Sequence, residues 1–185
     1  MKRRIHFFKE TVRNIKTTGS VTHSSKFLCK RMIKPVDFET ATLLVELGAG
    51  DGVITKHILR EMRPDATLLV FEINPKFCER IRMIKDKRMI LIEDSAENLS
   101  AHLKRLDLPK VNSIISAIPF VALPKSVVNT IILECKNNLQ PGGKFVQMQY
   151  SLLLKKTYQN IFGNVKIDFT PANIPPAFVL TSVKK

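Results

Sequence analysis

No apolar run in this 185-residue chain approaches the ~20 residues that a membrane-spanning helix needs, so no segment is expected to cross a bilayer. Cysteine is scarce and odd in number: Cys29, Cys78 and Cys135 are scattered along the chain. That excludes a disulfide framework and reads as reduced, partly buried thiols in a cytoplasmic protein. No cysteine–histidine cluster has metal-ligand spacing, so no metal site is expected. Internal repeats and low-complexity linkers are also missing. The length and a hydrophobic content of 44% suit one domain over residues 1–185 with a single three-layer core. Acid is scarce as well, with 16 Asp and Glu against 30 Lys and Arg, for a net charge of +14.

The positive excess is uneven. Residues 1–34 form a basic extension with ten Lys or Arg against the single acid Glu10. Such a block wants an anionic surface, either nucleic acid or acidic lipid. Ile5, Phe8, Val12 and Ile15 recur at helical spacing with Phe7 beside them, while Lys2, Arg3, Lys9, Arg13 and Lys16 fall largely off that stripe. A basic amphipathic helix over residues 1–16 would lie in an anionic membrane interface as a peripheral anchor. The same stripe would also serve a terminal helix packed on the core. A transit peptide is the weaker reading, because no small-residue cleavage signal follows.

What the chain does have is Val45-Glu46-Leu47-Gly48-Ala49-Gly50-Asp51-Gly52, with Phe71-Glu72 about twenty residues on. An apolar run ends in an acid, a glycine turn follows, and a helical pattern leads to a second apolar run ending in Glu72. This is the start of a βαβ unit that binds a nucleoside. Gly48 and Gly50 let the backbone approach the ligand, and Glu72 can accept from both ribose hydroxyls. Two acids beside the turn, Glu46 and Asp51, repel a pyrophosphate but suit a cationic, amine-bearing ligand. The E-x-G-x-G-x-G pattern resembles motif I of class I S-adenosylmethionine (SAM) methyltransferases.

Periodicity predicts helices over 3–16 and 22–34, a strand at 42–47, a helix at 53–63, a strand at 66–72 and a helix at 75–85. A strand at 88–92, a helix near 95–105, a strand at 111–117 and a helix over 124–137 follow. A turn at 140–143 precedes a strand at 144–149, a short helix at 151–160, and closing strands at 164–169 and 177–183. Alternation of this kind implies an α/β doubly wound fold with right-handed crossovers. The last two strands have no helix between them and should pair as a hairpin. Resemblance to the methyltransferase variant of this fold implies a mostly parallel seven-stranded sheet, order 3-2-1-4-5-7-6, with strand 7 antiparallel.

Ligands of such sheets sit outside the carboxyl ends of the strands. Strand ends therefore select Glu46 to Gly50, Glu72, Asp94-Ser95-Ala96, Ser116 to Phe120, and Tyr150. Glu46 or Asp51 can attract the ammonium of the methionine part. Asp94 can accept from the adenine amino group, with the Ser95 and Ala96 amides near the ring. Ile73 and Ala96 can line its apolar faces.

Ser116-Ala117-Ile118-Pro119-Phe120 with Leu123-Pro124 resembles the S-G-[LI]-P-[LF]-x-x-L-P segment of bacterial phospholipid N-methyltransferases. Three more segments agree in order: Gly19 to Ser25, Pro141 to Tyr150, and Asn173-Ile174-Pro175-Pro176-Ala177. They depart from the pattern at His23 for proline, Ala117 for glycine, and Ser151 for glycine. The resemblance implies methyl transfer from SAM to the amine of phosphatidylethanolamine or an ornithine lipid. Tyr150 is the candidate for orienting that amine, and His23 is a candidate proton acceptor or a plain loop residue. Ser24, Ser25, Pro119 and Phe120 are expected on the substrate side; Tyr158 either joins them or belongs to the core. Ribosomal-RNA adenine dimethylases share the glycine turn, making an rRNA or DNA adenine N6-methyltransferase the alternative. They carry N-L-P-[YF] after strand four, whereas this chain has Ser116, which cannot make the paired amide contacts. The chain also stops after the seventh strand, without their C-terminal helical domain.

Overall fold

The computed structural model describes residues 25–185. The expected helix over 3–16, together with His23 and Ser24, lies outside them. The first described helix, α1 (Lys26–Ile33), opens at Ser25, whose hydroxyl accepts from the Leu28 amide, and buries Leu28, Cys29, Met32 and Ile33. Then β1 (Leu43–Leu47), α2 (Val53–Glu61), β2 (Thr67–Phe71), α3 (Pro75–Arg82) and β3 (Met89–Ile92) alternate. A one-turn helix at Ala96–Asn98 leads into α4 (Leu99–Arg105), β4 (Val111–Ser116), a second single turn at Phe120–Ala122, and α5 (Lys125–Asn138). The chain closes with β5 (Leu139–Gln149), α6 (Lys155–Phe162), β6 (Lys166–Thr170) and β7 (Ala177–Val183).

All seven strands form one sheet, ordered β3-β2-β1-β4-β5-β7-β6. The first five in chain order pair in parallel, while β7 runs antiparallel to both β5 and β6. This is the expected order. Strands β1 and β2 are buried on both faces because helices cover both sides, and all their residues but Glu46 and Thr67 are apolar. Leu43, Val45 and Leu47 face the layer holding α4, α5 and α6. Leu44 and Glu46 face the other way, toward the layer holding α1, α2 and α3. Strand order reverses between β1 and β4, so their carboxyl ends flank the crevice where ligands of this fold bind.

Two local features differ from the sequence expectation. The turn at 140–143 is an irregularity within β5: Val111 pairs with Leu139 but Ser113 with Lys144, so the intervening residues loop outward. Their backbone is not left open, since the Gly142 amide donates to the Lys184 carbonyl at 2.8 Å and the Lys184 amide to Gly143 at 2.9 Å. The short helix also starts later than 151, after a turn whose Leu152 carbonyl accepts from the Lys155 amide. It stops at Gly163, which closes it in the left-handed conformation.

Candidate functional site

The glycine turn follows β1 and is held by its neighbours. The Gly48 amide donates to the Phe71 carbonyl at 2.8 Å, and the Gly50 amide to Glu72 Oε2 at 2.8 Å. Both residues have positive φ, +73° and +57°. Their missing side chains serve different ends. A Cβ on Gly48 would lie 3.0 Å from Ile118 Cγ1, so this glycine lets the β4 loop approach. A Cβ on Gly50 would meet nothing within 4 Å, so the turn there borders open space that a ligand can enter.

Glu72 is the hub of the turn. Its Oε1 accepts from the Ile73 and Asn74 amides at 2.9 and 2.8 Å, while Oε2 takes Gly50. The carboxylate is thereby fixed at the end of β2, beside the open space at Gly50, with lone pairs left for hydroxyl donors. Behind it, the Cys78 thiol donates to the Glu72 carbonyl at 3.3 Å.

Glu46 is different in kind. It is 1% exposed, and neither carboxylate oxygen has a hydrogen-bond partner. Burial pushes its carboxyl up to about 8, and the charges of Glu72 and Asp51 add to the rise. Thr55 lies close enough to pull it part of the way back, although its hydroxyl has no partner at hydrogen-bonding geometry either. A buried acid without a partner stays neutral rather than pay for a bare charge. The Asp51 carboxylate accepts from the Val53 amide, the first of α2, at 3.4 Å.

Asp94 ends β3 in a well-filled shell. Ser95 donates its amide at 2.7 Å, Asn98 its side-chain amide at 3.0 Å, and His102 Nε2 lies 2.8 Å away. Burial alone would raise its pKa, but the bonds to His102, Ser95 and Asn98 outweigh it and hold the carboxyl below its usual range. Asp94 is a fixed anion at the edge of the site. His102 packs edge-on against Phe71, ring centroids 5.5 Å apart. Ser95 caps the single turn that carries the buried Ala96. Ile73 is half-buried beside Glu72.

On the other half of the opening, Tyr150 is 45% exposed just after β5. Partial burial raises its pKa, and the Asn173 side chain pulls it back down, so the phenol is neutral at physiological pH. Asn173 also accepts from the Ser25 amide at 3.0 Å and donates to the Pro175 carbonyl at 2.8 Å. One buried amide therefore ties the start of α1, the β6–β7 loop and Tyr150 together. Ser25 is brought to the opening, with its hydroxyl engaged as the α1 cap.

Three expected site residues turn inward. Ser116 is fully buried, and its hydroxyl accepts from the Ile118 amide at 3.3 Å, bracing the loop after β4. Phe120 is 1% exposed and belongs to the core beneath α5; Pro119 beside it stays half-exposed. Tyr158 is not on the substrate side. It stacks on Phe145 at 5.9 Å, and its hydroxyl accepts from Gln149 at 2.9 Å. The apolar stripe of α6 needs it against the sheet. Sequence reasoning missed Asn173, His102 and Thr55 as supporting residues. Asn173 stood within a recognised segment, but the partners of His102 and Thr55 leave no local signal.

Cys29, Cys78 and Cys135 are all buried, and burial raises each thiol. Among the described residues, no cluster of His, Cys, Asp and Glu is arranged to hold a metal ion.

The sequence pattern of the family described as "Methyltransferase small domain" matches residues 11–170. The ornithine lipid N-methyltransferase of Singulisphaera acidiphila is 29% identical over 162 residues, covering 86% of this chain and 84% of that protein. Among solved structures, precorrin-6y C5,15-methyltransferase from Geobacter metallireducens aligns with a TM-score of 0.69 at 15% identity, covering 90% of this chain and 92% of that one. An rRNA methylase from Streptococcus thermophilus gives 0.59 at 15% identity, covering 90% and 100%. Human methyltransferase-like protein 13 in complex with SAH gives 0.62 at 16% identity, covering 80% and 74%. At these identities the solved structures share the fold, with S-adenosyl ligand binding among them.

Proposed function

Because this chain belongs to the methyltransferase small domain family and is a SAM-dependent methyltransferase, we propose that its acceptor is the amine of a membrane lipid, of the phosphatidylethanolamine or ornithine-lipid type. The observation that carries this reading is Tyr150: a neutral phenol, held by the Asn173 side chain, just past the carboxyl end of β5. Similarity along most of the chain to an enzyme that methylates ornithine lipid supports it.

The residues fit the cofactor. Glu72 binds the ribose hydroxyls, Asp94 the adenine amino group with Ile73 and Ala96 against the ring, and Gly50 leaves room for the backbone approach. Glu46, with Asp51 nearby, would attract the ammonium of the methionine part, directly or through water, and give up its proton in doing so. The bound cofactor supplies a methyl on a sulfonium, which is a good leaving group. What remains for the protein is orientation and exclusion of water. The Tyr150 hydroxyl accepts from the substrate amine and aims its lone pair. The acceptor sheds one proton to solvent or to His23 before the N–C bond forms, because an ammonium has no lone pair to offer. Ser25 and Pro119 border the path of the substrate.

The base-methyltransferase alternative needs a side chain after β4 that grips a flipped base. Ser116 is buried and already bonded to Ile118, so it offers none.

Expressing the protein in a host without methylated lipids, then profiling total lipids by mass spectrometry, tests the reading. Methylated amine lipids should appear with the native chain. Tyr150→Phe should lower turnover on the lipid amine while leaving SAM affinity nearly intact, since the hydroxyl acts on the acceptor alone. Undiminished turnover in that variant removes Tyr150 from the mechanism.

A further inference from the structure

Most of the large apolar side chains that the described residues leave in solvent share one end of the molecule. Phe27 is 67% exposed at the start of α1, Leu153 81% after β5, and Ile174 80% in the β6–β7 loop. Val121, after β4, and Leu152 are exposed as well. All stand on segments at the carboxyl ends of the strands, and the Ser25–Asn173 bond holds α1 and the β6–β7 loop side by side there. Of the other exposed apolar residues, Met83 after α3 and Leu133 in α5 lie elsewhere, and Phe169 in β6 packs one face on Phe178.

The charges around this rim are of one sign. Lys26, Lys125, Lys155 and Lys156 are exposed among the apolar residues. No Asp or Glu occurs in 25–34, 117–133, 150–165 or 169–176. The acids of this end, Glu46, Asp51, Glu72, Glu93, Asp94 and Glu97, all lie on the β1–β3 side. The face is thus split into an acidic half and an apolar half ringed by cations.

We propose that the rim of Phe27, Val121, Leu152, Leu153 and Ile174, with its surrounding lysines, docks on an anionic bilayer and turns the opening at Tyr150 toward the lipid headgroups. Apolar side chains enter the interface while lysines meet anionic headgroups, and neither set alone anchors firmly. The proposal deepens the lipid-amine reading, since docking at this end delivers the acceptor without extracting it into water. The binding itself does not depend on that reading.

The test uses the full chain and vesicles of phosphatidylcholine, with and without phosphatidylglycerol. Leu153→Glu combined with Ile174→Glu should lower the partition coefficient for anionic vesicles at least about tenfold, with SAM affinity unchanged. Leu133→Glu should bind vesicles as the native chain does. Equal vesicle binding by native chain and double variant overturns the proposal. A second measurement covers a double variant that folds poorly. The chain contains no tryptophan, so Leu153→Trp places a single reporter in the rim. Its emission should shift to the blue on anionic vesicles and be quenched by lipids carrying a quencher in the acyl chain. No shift on vesicles, or a shift only with structured RNA, also overturns it. Methylation of a lipid amine in detergent micelles separates the two ideas. Rim-dependent binding without methylation of any lipid amine sinks the substrate reading and keeps the rim. Methylation in micelles with vesicle binding indifferent to the rim does the reverse.

Discussion

Glu46 shows what a single buried carboxyl can do to the behaviour of a protein. Its folded value near 8 stands above the ordinary 4.5. Between those values the folded chain holds a proton that the unfolded chain has released. Stability from this group is therefore complete below about pH 4.5 and declines as pH rises toward 8. The melting temperature of the cofactor-free protein should fall across that window, and Glu46→Gln should flatten the fall. Cofactor binding near pH 7 should release a proton, read as a dependence of calorimetric heat on buffer ionisation enthalpy; Glu46→Gln should abolish it. Glu72 acts at the same scale by a different route. Glu72→Ala removes a charged acceptor for two ribose hydroxyls and frees three backbone amides of the turn. SAM affinity should drop by about 2–3 kcal/mol, and unchanged affinity in a calorimetric titration would take Glu72 out of the site. The positions of Glu46 and Glu72 were legible in the sequence as acids at strand ends. Their states were not, because nothing in the spacing says that Glu72 is met by amides and Glu46 by none.

At the scale of elements, periodicity carried most of the fold, and the misses have local causes. The run after Tyr150 is apolar enough to read as helix from 151, yet Leu152 and Leu153 stay in solvent and α6 forms only beyond them. Gly163 marked the true end of that helix. The Pro-Gly-Gly turn reads as a strand boundary, but Lys184, from the last residues of the chain, supplies hydrogen bonds that keep it within β5. Tyr158 followed the same rule: it falls on the buried stripe of α6, and its hydroxyl is satisfied by Gln149, so it has no cause to reach the opening. The tie between α1 and the β6–β7 loop was invisible, since Ser25 and Asn173 are distant in sequence. Removing it with Asn173→Ala should cost about 1–3 kcal/mol of stability, by leaving the Ser25 amide and Pro175 carbonyl unpaired. Thermal unfolding measures the loss. SAM affinity should be affected less than turnover, because the cofactor acids stand on the other half of the sheet.

For the whole molecule, charge is the dominant property. The net +14 is concentrated in residues 1–34, and residues 1–16 carry the stripe that suits a membrane anchor. Each basic residue near an anionic surface adds about 1 kcal/mol, screened by salt. Vesicle sedimentation should therefore require acidic lipid and weaken as salt rises, and Phe8→Glu should hurt vesicle binding more than SAM binding. Tight binding to structured RNA with indifference to anionic vesicles would replace the lipid reading with the base-methyltransferase one. The strand order has a further consequence for how such a molecule is made. The last strand, β7, is inserted between β5 and β6 rather than added at an edge. During synthesis β5 must wait with one edge unpaired until residues 177–183 have emerged. The segments proposed to hold the cofactor, which end by Ala96, are translated before β5. The proposed acceptor side needs the β6–β7 hairpin and its Asn173 loop, so it closes only after both of those strands have emerged.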